Sequence, residues 1–113
     1  MQVLFKSRDP HATALRDLTE RRVRFAFRRM GGLVPRAEVQ FSDENGPRGG
    51  IDKRCQLELR THGAGSVVIS SVSSDWRTAL DHVLARAARL LMRLWHKGHD
   101  ARRLRQRPAG PDF

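Results

Sequence analysis

Between Trp76 and Lys97 the sequence sets basic side chains at a repeating interval. His82, Arg86, Arg89, Arg93, His96 and Lys97 fall at i, i+4, i+7, i+11, i+14 and i+15. At about 100° per residue they gather on one flank of a helix, and only Arg77 lies well away. At about 1.5 Å per residue that ridge runs roughly 20 Å, the reach of a row of phosphates. Each phosphate neutralised releases counterions, which supplies affinity. Like charges three and four residues apart repel by about a few tenths of a kcal/mol per pair. With no acid on the ridge, a polyanionic partner is what relieves that repulsion. A merely solvated basic face is the plain alternative. A second row at Arg21, Arg24 and Arg28, flanked by Arg22 and Arg29, favours binding over it.

Other chemistries find little support. The histidines at 11, 62, 82, 96 and 99 and the single Cys55 lack metal-ligand spacing. Cys55 falls on a core-facing strand position, where a thiol is packing. Ser70-Ser71 and Ser73-Ser74 have no nucleophile-elbow motif. The acids Asp43 and Glu44 lie in a loop, where solvation is the default. The loop Asn45-Gly46-Pro47-Arg48-Gly49-Gly50 lets backbone approach phosphate, but it lacks the Gly-Lys-Ser/Thr ending of a nucleotide loop. A plain strand connection explains it equally well. The reading is a protein that is not an enzyme, with no cofactor, no metal and no small-molecule substrate.

The composition points the same way. The chain has 113 residues, enough for one modest core. It carries 22 Lys+Arg against 12 Asp+Glu, a formal net charge of +10. That excess suggests polyanionic partners. All but Lys6, Lys53 and Lys97 of the fixed cations are Arg, whose guanidinium forks phosphate oxygens and stacks on bases. Arg-rich codon usage accounts for the choice of Arg but not for the net charge. One cysteine excludes an internal disulfide and fits a reducing compartment. The opening Met1-Gln2-Val3-Leu4-Phe5-Lys6 is too short in apolar residues for a signal peptide, and no apolar run reaches a membrane span. A cytoplasmic protein is expected, with no membrane partner.

The elements that must hold these rows can be traced along the chain. Residues 2–7 read as a strand. Asp9-Pro10 starts a helix over 10–30, with Leu15, Thr19, Val23, Ala26, Phe27 and Met30 on one side and the arginine row opposite. Gly31-Gly32 ends it. Residues 35–42, 53–61 and 66–72 read as strands, the last two a hairpin through His62-Gly63-Ala64-Gly65. Ser73-Ser74-Asp75 caps a second helix whose stripe is Trp76, Ala79, Leu80, Val83, Ala87, Leu90, Leu91 and Leu94. Gly98 closes it. The order β-α-β-β-β-α predicts a two-layer α+β fold, a four-stranded sheet with two helices on one face. The other face, with Glu38, Gln40, Gln56, Glu58 and Arg60, is expected to be wet. It shows no aromatics for base stacking, so contact is expected from helices and loops to RNA backbone. Residues 1–98 make the binding domain and 99–113 a basic, disordered tail.

This order and the paired basic helices resemble the ribosome hibernation-promoting factor family, the ribosome-associated translation inhibitors, in its short form. Two stretches carry the likeness. Asn45-Gly46-Pro47-Arg48-Gly49-Gly50-Ile51-Asp52-Lys53-Arg54-Cys55 resembles the loop-to-strand segment of one branch of short members. Ser74-Asp75-Trp76-Arg77-Thr78-Ala79-Leu80-Asp81 is similar to the family's entry into the last helix, with Trp76 where many members have Tyr. The resemblance covers about residues 2–98. It implies binding to the small ribosomal subunit and its rRNA, in the mRNA and tRNA channel near the decoding centre. It also implies inhibited translation and preservation of idle ribosomes in stress and stationary phase. The matching RNA-binding positions are Arg21, Arg24, Arg28, Arg86, Arg89, Arg93 and Lys97, with Lys53 and Arg54 from the loop-to-strand segment. A monomer off the ribosome is expected. The second domain with which long members pair ribosomes is not in this sequence.

The fold expected here also resembles a double-stranded-RNA-binding domain with an added first strand. The lysine cluster such domains carry at the start of the final helix is replaced by Trp76-Arg77-Thr78. A generic duplex-RNA-binding module is therefore the alternative. A domain that meets an acidic protein, and a small metal hydrolase, rank below it.

Overall fold

The alternation in the three central apolar runs becomes the register of one sheet. In the computed structural model, β1 (Gln2–Ser7), β2 (Arg36–Asp43), β3 (Lys53–Thr61) and β4 (Gly65–Ser73) lie in the order β1-β2-β3-β4. β1 and β2 are parallel, and the other two pairings are antiparallel. A parallel pair needs a crossover. Here α1 (Pro10–Thr13) and α2 (Arg16–Ala26) supply it, and α3 (Trp76–Gln106) follows β4. The structure describes residues 1–30, 32–44, 52–63 and 65–106, without the side chains of 95 and 97–106. The Gly-rich loop 45–50 lies outside the described residues, as does the end of the expected tail, 107–113.

Register aligns the apolar positions in rows. Val3, Ala37, Leu59 and Val67 form one row, and Phe5, Val39, Leu57 and Ile69 the next. Ala37, Val39, Leu57, Leu59 and Ile69 are buried, as are Phe41 and Cys55. Thr19 and Val23 of α2 and Phe27 just after it cover them, with Trp76, Ala79, Leu80, Val83, Ala87 and Leu91 of α3. Each large side chain so buried contributes about 1.5–3 kcal/mol. That shared layer holds α2 and α3 in place.

An aromatic column closes one end of it. Phe5 meets Phe41 edge-on at 5.4 Å, and Phe41 stacks on Trp76 at 6.1 Å. The indole N–H of Trp76 donates to the Ser42 carbonyl at 3.1 Å. The far face of the sheet carries Glu38 directly opposite Glu58. Lys6 and Arg36, at 3.4 and 3.7 Å from Glu38, offset that repulsion.

Three helix boundaries differ from the sequence expectation. The helix expected over 10–30 is two segments. Asp9 caps α1 by accepting from the His11 N–H at 2.9 Å, and the chain breaks at Ala14–Leu15 before α2 begins. The break lets Ala12 bury against the core while α2 takes its own line over the sheet. The helix also ends at Ala26 rather than near Met30. Arg28 N–H donates to Phe25 C=O and Met30 N–H to Phe27 C=O, a tightening to three-residue turns that still buries Met30 and Val34. Finally, α3 passes through Gly98 to Gln106. One interior glycine costs a helix only about 1 kcal/mol relative to alanine, and the Ala, Leu, Arg and Gln that follow are helix formers.

Candidate nucleic-acid interface

The core decides which way each arginine faces. With Thr19, Val23 and Phe27 buried, Arg21 and Arg24 stand exposed on the outer side of α2, and Arg28 just beyond its end. With Leu80, Val83, Ala87 and Leu91 buried, His82, Arg86, Arg89, Arg93 and His96 stand exposed on α3. The Lys97 side chain lies outside the described residues. Arg22 forms an ion pair with Asp81, joining α2 to α3. Phe25 and Ala26 meet Leu84 in the groove one turn further on. The contacts advance together along both helices, so the helices run side by side in the same sense.

The arginines differ in what holds them. Arg24 donates to Glu20 at 3.2 Å and to the Met1 carbonyl at 2.9 Å, which draws it toward the N-terminus. Arg28 donates to the Phe25 carbonyl at 2.8 Å, and its guanidinium lies 4.1 Å from the centroid of the Phe25 ring. Arg86 reaches sideways and donates to the Ser70 carbonyl of β4 at 2.9 Å. Arg89 makes a long contact, 3.4 Å, to the Ala85 carbonyl of its own helix. Arg89 and Arg93 flank a shallow hollow over Ala88 and Met92. Each of these carbonyl contacts leaves further guanidinium N–H groups for phosphate.

Lys53 and Arg54 part company. Lys53 shares the inward phase of Cys55 and Leu57. Its ammonium lies 2.5 Å from Asp43 and 3.7 Å from Asp52, and 5.1 Å from the Trp76 ring centroid. The Asp43 hydrogen bond, against some desolvation, holds its pKa above the usual lysine range. Arg54 has the opposite phase and belongs to the far sheet face, where it pairs with Glu44 at 3.1 Å. Of the positions singled out from sequence, the structure therefore brings Arg21, Arg28, Arg86, Arg89 and Arg93 to the helix layer's outer surface. Arg24 sits in the last turn of α2, at the layer's edge beside the start of β1, with Lys53 at the start of α3 and Arg54 on the other side of the sheet.

Two large apolar side chains that lie off both apolar stripes stand on this surface. Phe25 is 66% exposed and Met92 45%, both among the basic side chains. The available signal for Phe25 was an aromatic two residues from Val23, off the apolar stripe.

Among the described residues no three His, Cys, Asp or Glu side chains are placed to hold a metal ion. No described helix is long and apolar enough to cross a membrane. Cys55 is buried, which pushes its thiol up to about 12. A thiol so protonated is a poor nucleophile.

No known protein-family profile matches the sequence, and no curated protein matches it. Among solved structures, the chain is similar to the N-terminal domain of Protein Y from Thermus thermophilus. The TM-score is 0.64 and the sequence identity 22%, over 83% of this chain and 99% of that one. At that identity the likeness establishes a shared fold.

Proposed function

We propose that this protein is a non-enzymatic factor that binds the small ribosomal subunit through its rRNA. There it occupies the mRNA and tRNA channel, inhibits translation and preserves idle ribosomes. The observation that carries the reading is the pair of arginine-bearing helix faces, fixed side by side over one core and joined by Arg22 and Asp81. Folded RNA presents phosphates in rows, and a rigid cationic surface reads that shape without reading sequence. The net charge of +10 adds long-range attraction. The resemblance of residues 45–55 and 74–81 to hibernation factors supports the ribosome as the source of that RNA. The fold shared with the Protein Y domain is compatible with it.

In this reading Arg21, Arg28, Arg86, Arg89 and Arg93 contact phosphate directly. Arg24 and Lys97 extend the contact at its ends and Lys53 serves at the loop-to-strand margin, while Arg54, on the far face and paired with Glu44, stands apart from it. The work is done in the cytoplasm by a monomer.

Sucrose gradients test it, with the protein added to dissociated subunits, intact ribosomes and a competing plain RNA duplex. Co-migration with small subunits that a molar excess of duplex does not displace is expected, together with reduced translation in a cell-free system. Equal competition by the duplex would instead favour a generic duplex-RNA-binding module. Capture on an acidic protein that survives nuclease would reject both.

A further inference from the structure

We propose that the groove between α2 and α3 receives one unpaired nucleobase of the bound RNA, stacked against Phe25. This rests on the RNA-binding reading above and adds a base contact to it. Phe25 is the most exposed of the large apolar side chains among the described residues. An aromatic ring left in water gives up the stabilisation that burial would bring. A tie to Arg28 prepares it for a partner: the guanidinium covers the ring at 4.1 Å and is held by the Phe25 carbonyl. The groove beside it measures about 470 Å³ and is lined by Arg21, Arg22, Phe25, Ala26, Asp81 and Leu84. Its floor is therefore apolar, and its rim carries Arg21 beside the Arg22–Asp81 ion pair, a net positive edge.

That combination selects a ligand. The site suits a group with flat, π-faced surfaces that carries a negative charge at its edge. A nucleotide has that form, since its base stacks on aromatic and guanidinium planes while its phosphate meets arginine. A base within a duplex presents only its edges, so the nucleotide must be unpaired. An apolar protein anchor would fill the floor equally but would leave the arginine rim without anions. Arg21 in the groove lining and Arg28 over the Phe25 ring give the charge complementarity that favours RNA.

The test uses the full chain and small ribosomal subunits. Phe25→Leu keeps an apolar side chain at an exposed site and removes the ring; Phe25→Trp keeps a ring. Phe25→Leu is expected to lose roughly tenfold in affinity for small subunits with an unchanged salt dependence, because stacking displaces no counterions. Phe25→Trp is expected to bind as the wild type does. A photoreactive benzoyl-phenylalanine in place of Phe25 is expected to cross-link to an unpaired rRNA nucleotide. Unchanged affinity in Phe25→Leu, or a cross-link to a ribosomal protein or within an rRNA duplex, overturns the inference while leaving subunit binding intact. Absence of any wild-type co-sedimentation overturns the ribosomal reading and this inference with it.

Discussion

Arg22 of α2 and Asp81 of α3 form an ion pair across the helix layer, and it is the polar tie between the two basic faces. Their side chains are 40% and 54% exposed, so the tie is weak in water, about 0–1 kcal/mol. Its larger effect is electrostatic. Asp81 places one negative charge between two arginine rows.

Neutralising that charge should therefore help binding more than it harms the fold. Asp81→Asn is expected to leave the urea midpoint almost unchanged. Filter binding to small subunits should tighten, with a steeper salt dependence as Arg22 is freed for phosphate. Weaker binding would mean that the pair is needed to orient the helices.

Thr19 tests the packing beneath α2. It is fully buried, and its hydroxyl has no hydrogen-bond partner among the described residues. Valine has nearly the same shape and the same β-branching. Thr19→Val is expected to raise stability by about 1 kcal/mol in urea denaturation, because no buried polar group is then left unsatisfied. A loss of stability would point to a partner for that hydroxyl.

Cys55 gives the alkaline limb of stability. Its thiol has an ordinary value of 9.0 when unfolded, and burial raises it to about 12 in the fold. The folded state thus retains a proton that the unfolded state loses. The contribution is complete below about pH 9 and falls away as pH rises toward 12. Wild type should lose more urea resistance between about pH 8 and pH 10.5 than Cys55→Ala does. Equal losses would contradict burial of the thiol. Native protein should also resist alkylation until urea unfolds it.

Asp75 gives the acid limb. Its carboxylate accepts from the Thr78 N–H at 2.8 Å and the Thr78 hydroxyl at 2.9 Å, capping α3. Those bonds hold its pKa below the ordinary 3.8. The cap's contribution is therefore present above that value and is lost as pH falls through the lower folded one. Asp75→Ala should be less heat-stable than wild type at neutral pH, and the gap should narrow as the buffer is taken below about pH 4. A gap that stays constant would show that charge on Asp75 is not what caps the helix.

Much of this architecture is legible in the sequence because its periods are strong. The alternation in Ala37, Val39 and Phe41 and in Cys55, Leu57 and Leu59 sets both register and face. The Asp75 cap and the stripe from Trp76 to Leu91 fix where α3 starts and which side it buries. What sequence misses is governed by tertiary contact. The break at Ala14–Leu15 comes from the separate packing of Ala12 and α2, for which no local residue is a breaker. The exit after Ala26 is set by where Met30 and Val34 must bury. Within the site, periodicity places Arg21, Arg28, Arg89 and Arg93 on outer faces. It cannot show that Arg86 turns to Ser70 or that Arg22 is bound to Asp81. Lys53 and Arg54 adjoin in sequence, yet a strand sends neighbours to opposite faces, so one joins Trp76 and the other the far side.

The central claim is that location on the helix layer, beyond total charge, drives binding. Arg89→Glu and Arg60→Glu change the net charge equally, and both side chains are exposed, one on α3 and one on the far face of the sheet. Co-sedimentation with small ribosomal subunits should be measured for both across a salt series. Arg89→Glu is expected to weaken binding severalfold and to lower the salt slope by about one, while Arg60→Glu stays near wild type. Equal losses from the two variants, or none from Arg89→Glu, would contradict the account.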